Sequence, residues 1–133
     1  MPEERLKTFQ ILFAKGSVDL AVAGHLIQLK ADDVDKDVVL FHLQQAAEKL
    51  LKALLSKNGV HFEKTHDMIE LLELCATKSI ELPEYCSSFE DLYPFAVQGR
   101  YDFVSDAILD TEWYCSWINK FRAFVSMKID VAI

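Results

Sequence analysis

Between Lys36 and Asn58 the chain repeats apolar side chains at helical spacing, and no other stretch constrains the fold as much. Val39, Leu43, Ala46, Leu50 and Leu54 form one line at steps of three and four, and Ala47, Leu51 and Leu55 widen it. A stripe of that width needs other helices to cover it. Asn58-Gly59 supplies the stop, because Gly59 is free to take positive φ.

The same period governs the rest of the chain. From about Glu3 to Leu29, apolar residues recur at Leu6, Phe9, Phe13, Leu20 and Ile27, with Gly16 and Gly24 on or beside that face. Small residues there let a neighbouring helix come close. The acidic run from Ala31 to Lys36 reads as a loop, with Asp35 or Asp37 as a cap for the next helix. Thr65 reads as the cap of a third helix to about Lys78 that turns Ile69, Leu72 and Cys75 or Ala76 inward. Pro83 starts a shorter helix to about Tyr93, and Pro94 and Gly99 bracket an irregular stretch to Asp102. The last helix is expected from about Phe103 to Lys128, with Ile108, Trp113, Trp117, Phe121, Phe124 and Val125 facing in. Neither strand alternation nor an internal repeat competes with this pattern. The expected fold is all-α: an antiparallel four- to five-helix up-and-down bundle in a single domain spanning residues 1–133.

Charge narrows the function classes. A net charge of −7 favours solubility and disfavours binding to nucleic acid or anionic membranes. No apolar run approaches the roughly 20 residues needed to cross a bilayer. Cys75, Cys86 and Cys115 are odd in number and widely spaced, which suits buried free thiols in a reducing cytoplasm. The segment 42–66 departs from the acidic trend, with four lysines against two glutamates and three of the four histidines. An anionic ligand would be met there first.

Within it, His42, Gln45, Lys49 and Lys52 share one helix face. They read either as a polar wall offering imidazole, amide and ammonium donors to a phosphate or ribose, or as an ordinary solvated face with a histidine-to-carboxylate bond. His66-Asp67 stands at a helix start, where backbone N–H groups favour anions, although a plain cap accounts for Asp67 equally well. Arg100-Tyr101 follows Gly99, and the arginine suits either a bidentate phosphate contact or a pair with Asp102 or Asp106. A di-metal bundle needs two Glu-x-x-His motifs, and only Glu63 to His66 supplies one, so neither metal nor cofactor is expected. Trp113, Tyr114, Trp117, Phe121 and Phe124 read as core, because their spacing matches a buried face, and the acidic line Asp102, Asp106 and Asp110 just before them argues further against stacking on nucleobases.

The order of these signals resembles the HEPN domain family. The resemblance rests on His42-x-Gln44-Gln45-Ala46-x-Glu48-Lys49, the Gly59 helix end, Thr65-His66-Asp67 and the later Arg100-Tyr101 pair, and it covers about residues 4 to 128. It implies a helical module that dimerises and partners a small nucleotidyltransferase, sometimes as a toxin–antitoxin pair. By that likeness a homodimer is expected to bind a nucleotide through His42, Gln45, Lys49, His66, Asp67, Arg100 and Tyr101. Many family members are similar to metal-independent ribonucleases, in which an arginine is followed a few residues later by histidine (Arg-x4-6-His). Here no histidine follows His66, so the expectation leans away from an enzyme. The alternatives are a ribonuclease with a rearranged site, using His42 or His66 with Arg100, and a purely structural dimerisation unit.

Overall fold

The computed structural model describes residues 7–29, 35–65, 67–96 and 109–129. Four α-helices, α1 (Thr8–Leu29), α2 (Lys36–Lys57), α3 (Met68–Thr77) and α4 (Thr111–Ile129), are joined by a 3-10 segment, Glu84–Phe95, between α3 and α4. No strand occurs among the described residues, so the all-α bundle expected from the periodicity is the fold.

α2 is the centre. It contacts all three other helices and the 3-10 segment. Leu43, Ala46, Leu50 and Leu54 are buried as the spacing predicts, and so are Ala47, Leu51 and Leu55. Full burial of a leucine stabilises the fold by about 1.5–3 kcal/mol, so this helix anchors the core. Its ends are well specified. Asp35 caps the start by accepting from Asp37 N at 2.9 Å. At the far end Gly59 takes φ 72°, Gly59 N donates to Ser56 O, and Val60 N donates to Leu55 O. Those two bonds are the Schellman pairing that a glycine in this conformation permits.

α1 lies antiparallel to α2: Lys57, at the end of α2, covers the Phe9 ring near the start of α1, whereas Asp19 further along α1 reaches back to His42. A Cβ at Gly16 would stand 3.2 Å from Lys49 Cβ, 3.3 Å from Ala46 O and 3.4 Å from Leu50 Cγ. Gly16 is therefore the point of close approach. Gly24 is not, since nothing lies within 4 Å of a Cβ built there.

Several boundaries and faces differ from the sequence reading. The start of α1 at Glu3 lies outside the described residues; Lys7 is non-helical, its carbonyl accepting from Gln10 N and Ile11 N, and α1 begins at Thr8. Asp67, not Thr65, caps α3, with its carboxylate accepting from Ile69 N and Glu70 N. Thr65 Oγ1 instead accepts from Asp67 N. The inward line of α3 is Met68, Leu71 and Cys75; Cys75 faces in as expected, Leu72 is half-buried and Ile69 is exposed. That helix ends with Ser79 at φ 59°, a left-handed position without glycine. The segment begun by Pro83 is 3-10 rather than α and runs through Pro94 to Phe95. Ser87 and Ser88 hydroxyls donate to the carbonyls three residues back, which favours the tighter winding.

α4 starts at Thr111, not Phe103. Asp110 is the cap, accepting from Trp113 N on its side chain and from Tyr114 N on its carbonyl. Its buried line is Tyr114, Ile118, Phe121, Val125 and Ile129: Phe121 and Val125 face in as expected, Trp117 and Phe124 are half-buried against the core, and Trp113 is exposed with Tyr114 buried in its place. Ile108 and the irregular stretch from 97 onward lie outside the described residues. No described helix is long and apolar enough to cross a membrane.

Candidate functional site

The close approach at Gly16 sets up the site. With α1 against α2 there, Lys49 runs its stem past Gly16, and Asp19, one turn further along α1, comes within reach of its ammonium. Lys49 Nζ donates to Asp19 Oδ2 at 2.6 Å, and His42 Nδ1 stands 2.9 Å from Asp19 Oδ1. An ionised carboxylate only accepts, so His42 carries its proton on Nδ1 and turns Nε2 away from Asp19. The Asp19 side chain is 13% exposed, against 23% for His42 and 25% for Lys49. One acid thus serves two basic groups in a partly desolvated corner, where charge-assisted bonds are stronger than in water.

A shallow cavity of about 290 Å³ adjoins this corner, lined by Ala14, Lys15, Val18, Asp19 and Lys49. Lys15 stands exposed on its rim and makes no ion pair among the described residues. Lys15, Lys49 and Asp19 give the cavity two ammonium groups and one carboxylate, an arrangement suited to an anion with an apolar portion.

The other members of the predicted face turn elsewhere. Gln45 is buried and donates to Gln44 Oε1 at 2.7 Å and, more weakly, to Ala96 O at 3.4 Å. Gln44 Nε2 donates to Glu48 Oε1 at 3.0 Å, and Lys52 Nζ donates to Glu48 Oε2 at 2.8 Å. Lys52 also lies 5.8 Å from the Phe62 ring centroid. The face is therefore no continuous solvated wall. His42 and Lys49 meet at α1, whereas Gln45 and Lys52 belong to a buried polar chain along α2, because neighbouring elements cover α2 on nearly every side.

Asp67 closes the N-terminus of α3 with its own carboxylate, occupying two of the amides that an anion would use. His66, Arg100 and Tyr101 lie outside the described residues. Asp19 was not among the predicted site residues. Its signal was available: it is the sole acidic side chain in α1, set between Val18 and Leu20.

Elsewhere, burial pushes the Cys75 thiol up to about 11 and, with the nearby Cys75, the Cys86 thiol up to about 12. Cys115 is half-buried rather than buried, and its thiol is also raised. The Tyr114 hydroxyl donates to Asp91 Oδ2 at 2.8 Å and is held well above the ordinary tyrosine range, by burial first and then by Asp91. These groups stay protonated near neutral pH and are poor nucleophiles. Among the described residues no three His, Cys, Asp or Glu side chains gather as a metal would require.

Compared with known proteins, the family model of the HEPN domain matches residues 9–130. Neither a curated protein nor a solved structure matches the chain.

Proposed function

The chain belongs to the HEPN domain family, and from that premise we propose a non-catalytic nucleotide-binding module that works as a homodimer beside a small nucleotidyltransferase, in the manner of a toxin–antitoxin pair. The observation that carries the ligand half is the shared Asp19, which holds His42 and Lys49 beside a cavity rimmed by Lys15. A phosphate accepts from two ammonium groups here, and the apolar sides of Ala14 and Val18 offer a surface to a sugar or base. Arg100 and His66 extend the donor set by family resemblance.

Calorimetric titration with ATP, GTP and their mono- and diphosphates tests this reading. We expect heat with at least one of them, and roughly tenfold weaker binding in Lys49→Met, which is the loss of one charge-assisted contact. No heat with any nucleotide at high protein concentration removes the ligand half.

One observation favours a second reading, a metal-independent ribonuclease with a rearranged site. A histidine oriented through Nδ1 by a carboxylate is how a general base is held, and Asp19 orients His42 in that way. Against it, no histidine follows His66 in the chain. Incubation with total RNA and EDTA discriminates: cleavage that disappears in His42→Gln or Arg100→Ala establishes the enzyme.

A further inference from the structure

Arg122 of α4 is held in place and left without an acid. Its Nε donates to Ser17 Oγ of α1 at 2.7 Å, and its guanidinium carbon stands 4.9 Å from the centre of the Phe13 ring. Ser17 Oγ donates to Phe13 O at 2.8 Å, which leaves the hydroxyl to act as acceptor for Arg122. One N–H and one face of the guanidinium are thereby fixed. The four N–H groups on Nη1 and Nη2 meet no acceptor among the described residues, and Arg122 joins no ion pair there. Neither helix has an acid to offer. Residues 113–129 carry no Asp or Glu, and Asp19, the sole acid of α1, is committed to His42 and Lys49.

A half-buried charge normally has a counter-charge, because its removal from water is otherwise uncompensated. In a chain with 21 acidic side chains, a guanidinium that meets none of them is an exception. Tethering α4 to α1 would use Nε alone and leave the rest of the group idle. We propose that Arg122 is a receptor for a carboxylate of a partner protein, bound bidentately by Nη1 and Nη2. That fork matches two coplanar oxygens. Ser126 lies four residues on, hence on the same helix face, and its half-buried hydroxyl bonds no described residue, so it offers a further donor. Charge selects carboxylate over phosphate. Lys120 and Lys128 turn to the Trp117 and Phe124 rings, which leaves one positive charge here to balance one carboxylate. A phosphate dianion is better met by the two ammonium groups of the Lys15–Lys49 cavity, whose α1 wall is Ala14, Lys15, Val18 and Asp19 rather than Phe13 and Ser17. The two sites are therefore separate, and this one does not depend on the nucleotide reading. A lone fork holds a free carboxylate only at a Kd on the order of 10 mM, so it serves as an anchor within a larger protein contact, a common use of arginine.

Nitrogen-15 NMR of the whole chain tests the site, with sodium acetate as the minimal carboxylate and sodium chloride holding ionic strength constant. We expect the backbone amides of Ser17 and Ser126 to shift and saturate with a Kd on the order of 10 mM. Arg122→Lys keeps the charge but not the fork and should weaken acetate at least about fivefold. Ser17→Ala removes the positioning bond and should weaken it about threefold, an effect on affinity that a mere tether would not produce. Lys15→Met should leave acetate binding unchanged. N-acetylalanine and N-acetylglutamic acid α-amide present a chain-terminal and a side-chain carboxylate; binding of either supports a protein source, and the tighter one names it. Acetate shifts that never saturate, or that chloride alone reproduces, overturn the site. So does acetate binding that survives Arg122→Lys undiminished or that Lys15→Met abolishes. Inorganic phosphate binding here more tightly than acetate overturns the carboxylate preference, and acetate binding without either peptide-like compound overturns the protein source.

Discussion

Asp19 of α1 and His42 of α2, 23 residues apart in sequence, are joined by a 2.9 Å contact between Oδ1 and Nδ1. Because Oδ2 of the same carboxylate also takes the Lys49 ammonium, Asp19→Ala leaves two basic groups without their acceptor. Lys49 is a quarter exposed and can turn to water, so the loss stays below the 3–5 kcal/mol of a fully buried broken pair. We expect about 1–2 kcal/mol of destabilisation by urea unfolding, with Asp19→Asn costing less because its amide oxygen still accepts. A change near zero for Asp19→Ala shows that the corner contributes nothing to the α1–α2 contact.

The two glycines of α1 should respond with opposite sign. At Gly16 a methyl group meets Lys49 Cβ and the Ala46 carbonyl, backbone-proximal atoms that cannot swing away. Overpacking there outweighs the gain of about 1 kcal/mol in helix propensity, and Gly16→Ala destabilises by roughly 1 kcal/mol. Gly24 has open space, so Gly24→Ala keeps the propensity gain and stabilises by about 0.5–1 kcal/mol. Thermal unfolding of both variants checks this; equal shifts in one direction refute the close approach.

This contrast marks what the sequence carried and what it did not. The core line of α2 and its Gly59 end were legible, because one helix with one apolar period and one left-handed stop admits a single reading. Gly16 and Gly24 looked alike, and only the position of α2 distinguishes them. In α3 both Thr65 and Asp67 are good caps, and only the structure shows that Asp67 reaches the first amides; which side faces in is set by the elements that cover the helix, and they bury Met68, Leu71 and Cys75, leave Leu72 half-buried and expose Ile69. In α4 adjacent lines are both aromatic or aliphatic, so Trp113 and Tyr114 were interchangeable until neighbouring elements covered one of them. The polar residues of α2 were identified, but not the acid they meet, since a partner on another helix leaves no trace in local spacing.

The buried Lys52–Glu48 pair should be the most sensitive polar contact in the bundle. Both side chains are nearly inaccessible, at 11% and 3% exposure, so removing the ammonium takes one charge-assisted bond from a buried carboxylate. Lys52→Met is expected to destabilise by about 1.5–3 kcal/mol. The Gln44 amide still donates to Oε1. Adding Glu48→Gln to the same chain should recover part of it, because the charge is then gone too. A double variant no more stable than Lys52→Met alone shows that Glu48 matters for more than this pair.

Alkaline titration tests the two buried thiols. An unfolded chain releases their protons near 9.0, whereas the folded protein holds them to about 11 at Cys75 and about 12 at Cys86. Above pH 9 the native state therefore binds more protons than the unfolded state, and stability falls as pH rises, by up to about 1.4 kcal/mol per pH unit for each thiol. Tyr114, raised in the same direction, adds to the fall once the pH passes the ordinary tyrosine value. Urea midpoints should stay flat from pH 7 to about 8.5 and drop steeply between pH 9 and 10.5, the window those shifts define. Replacing both cysteines by alanine lowers stability at pH 7 through the lost packing, but it should flatten the slope above pH 9. A slope as steep in the double variant as in the unaltered protein assigns the alkaline transition to other groups.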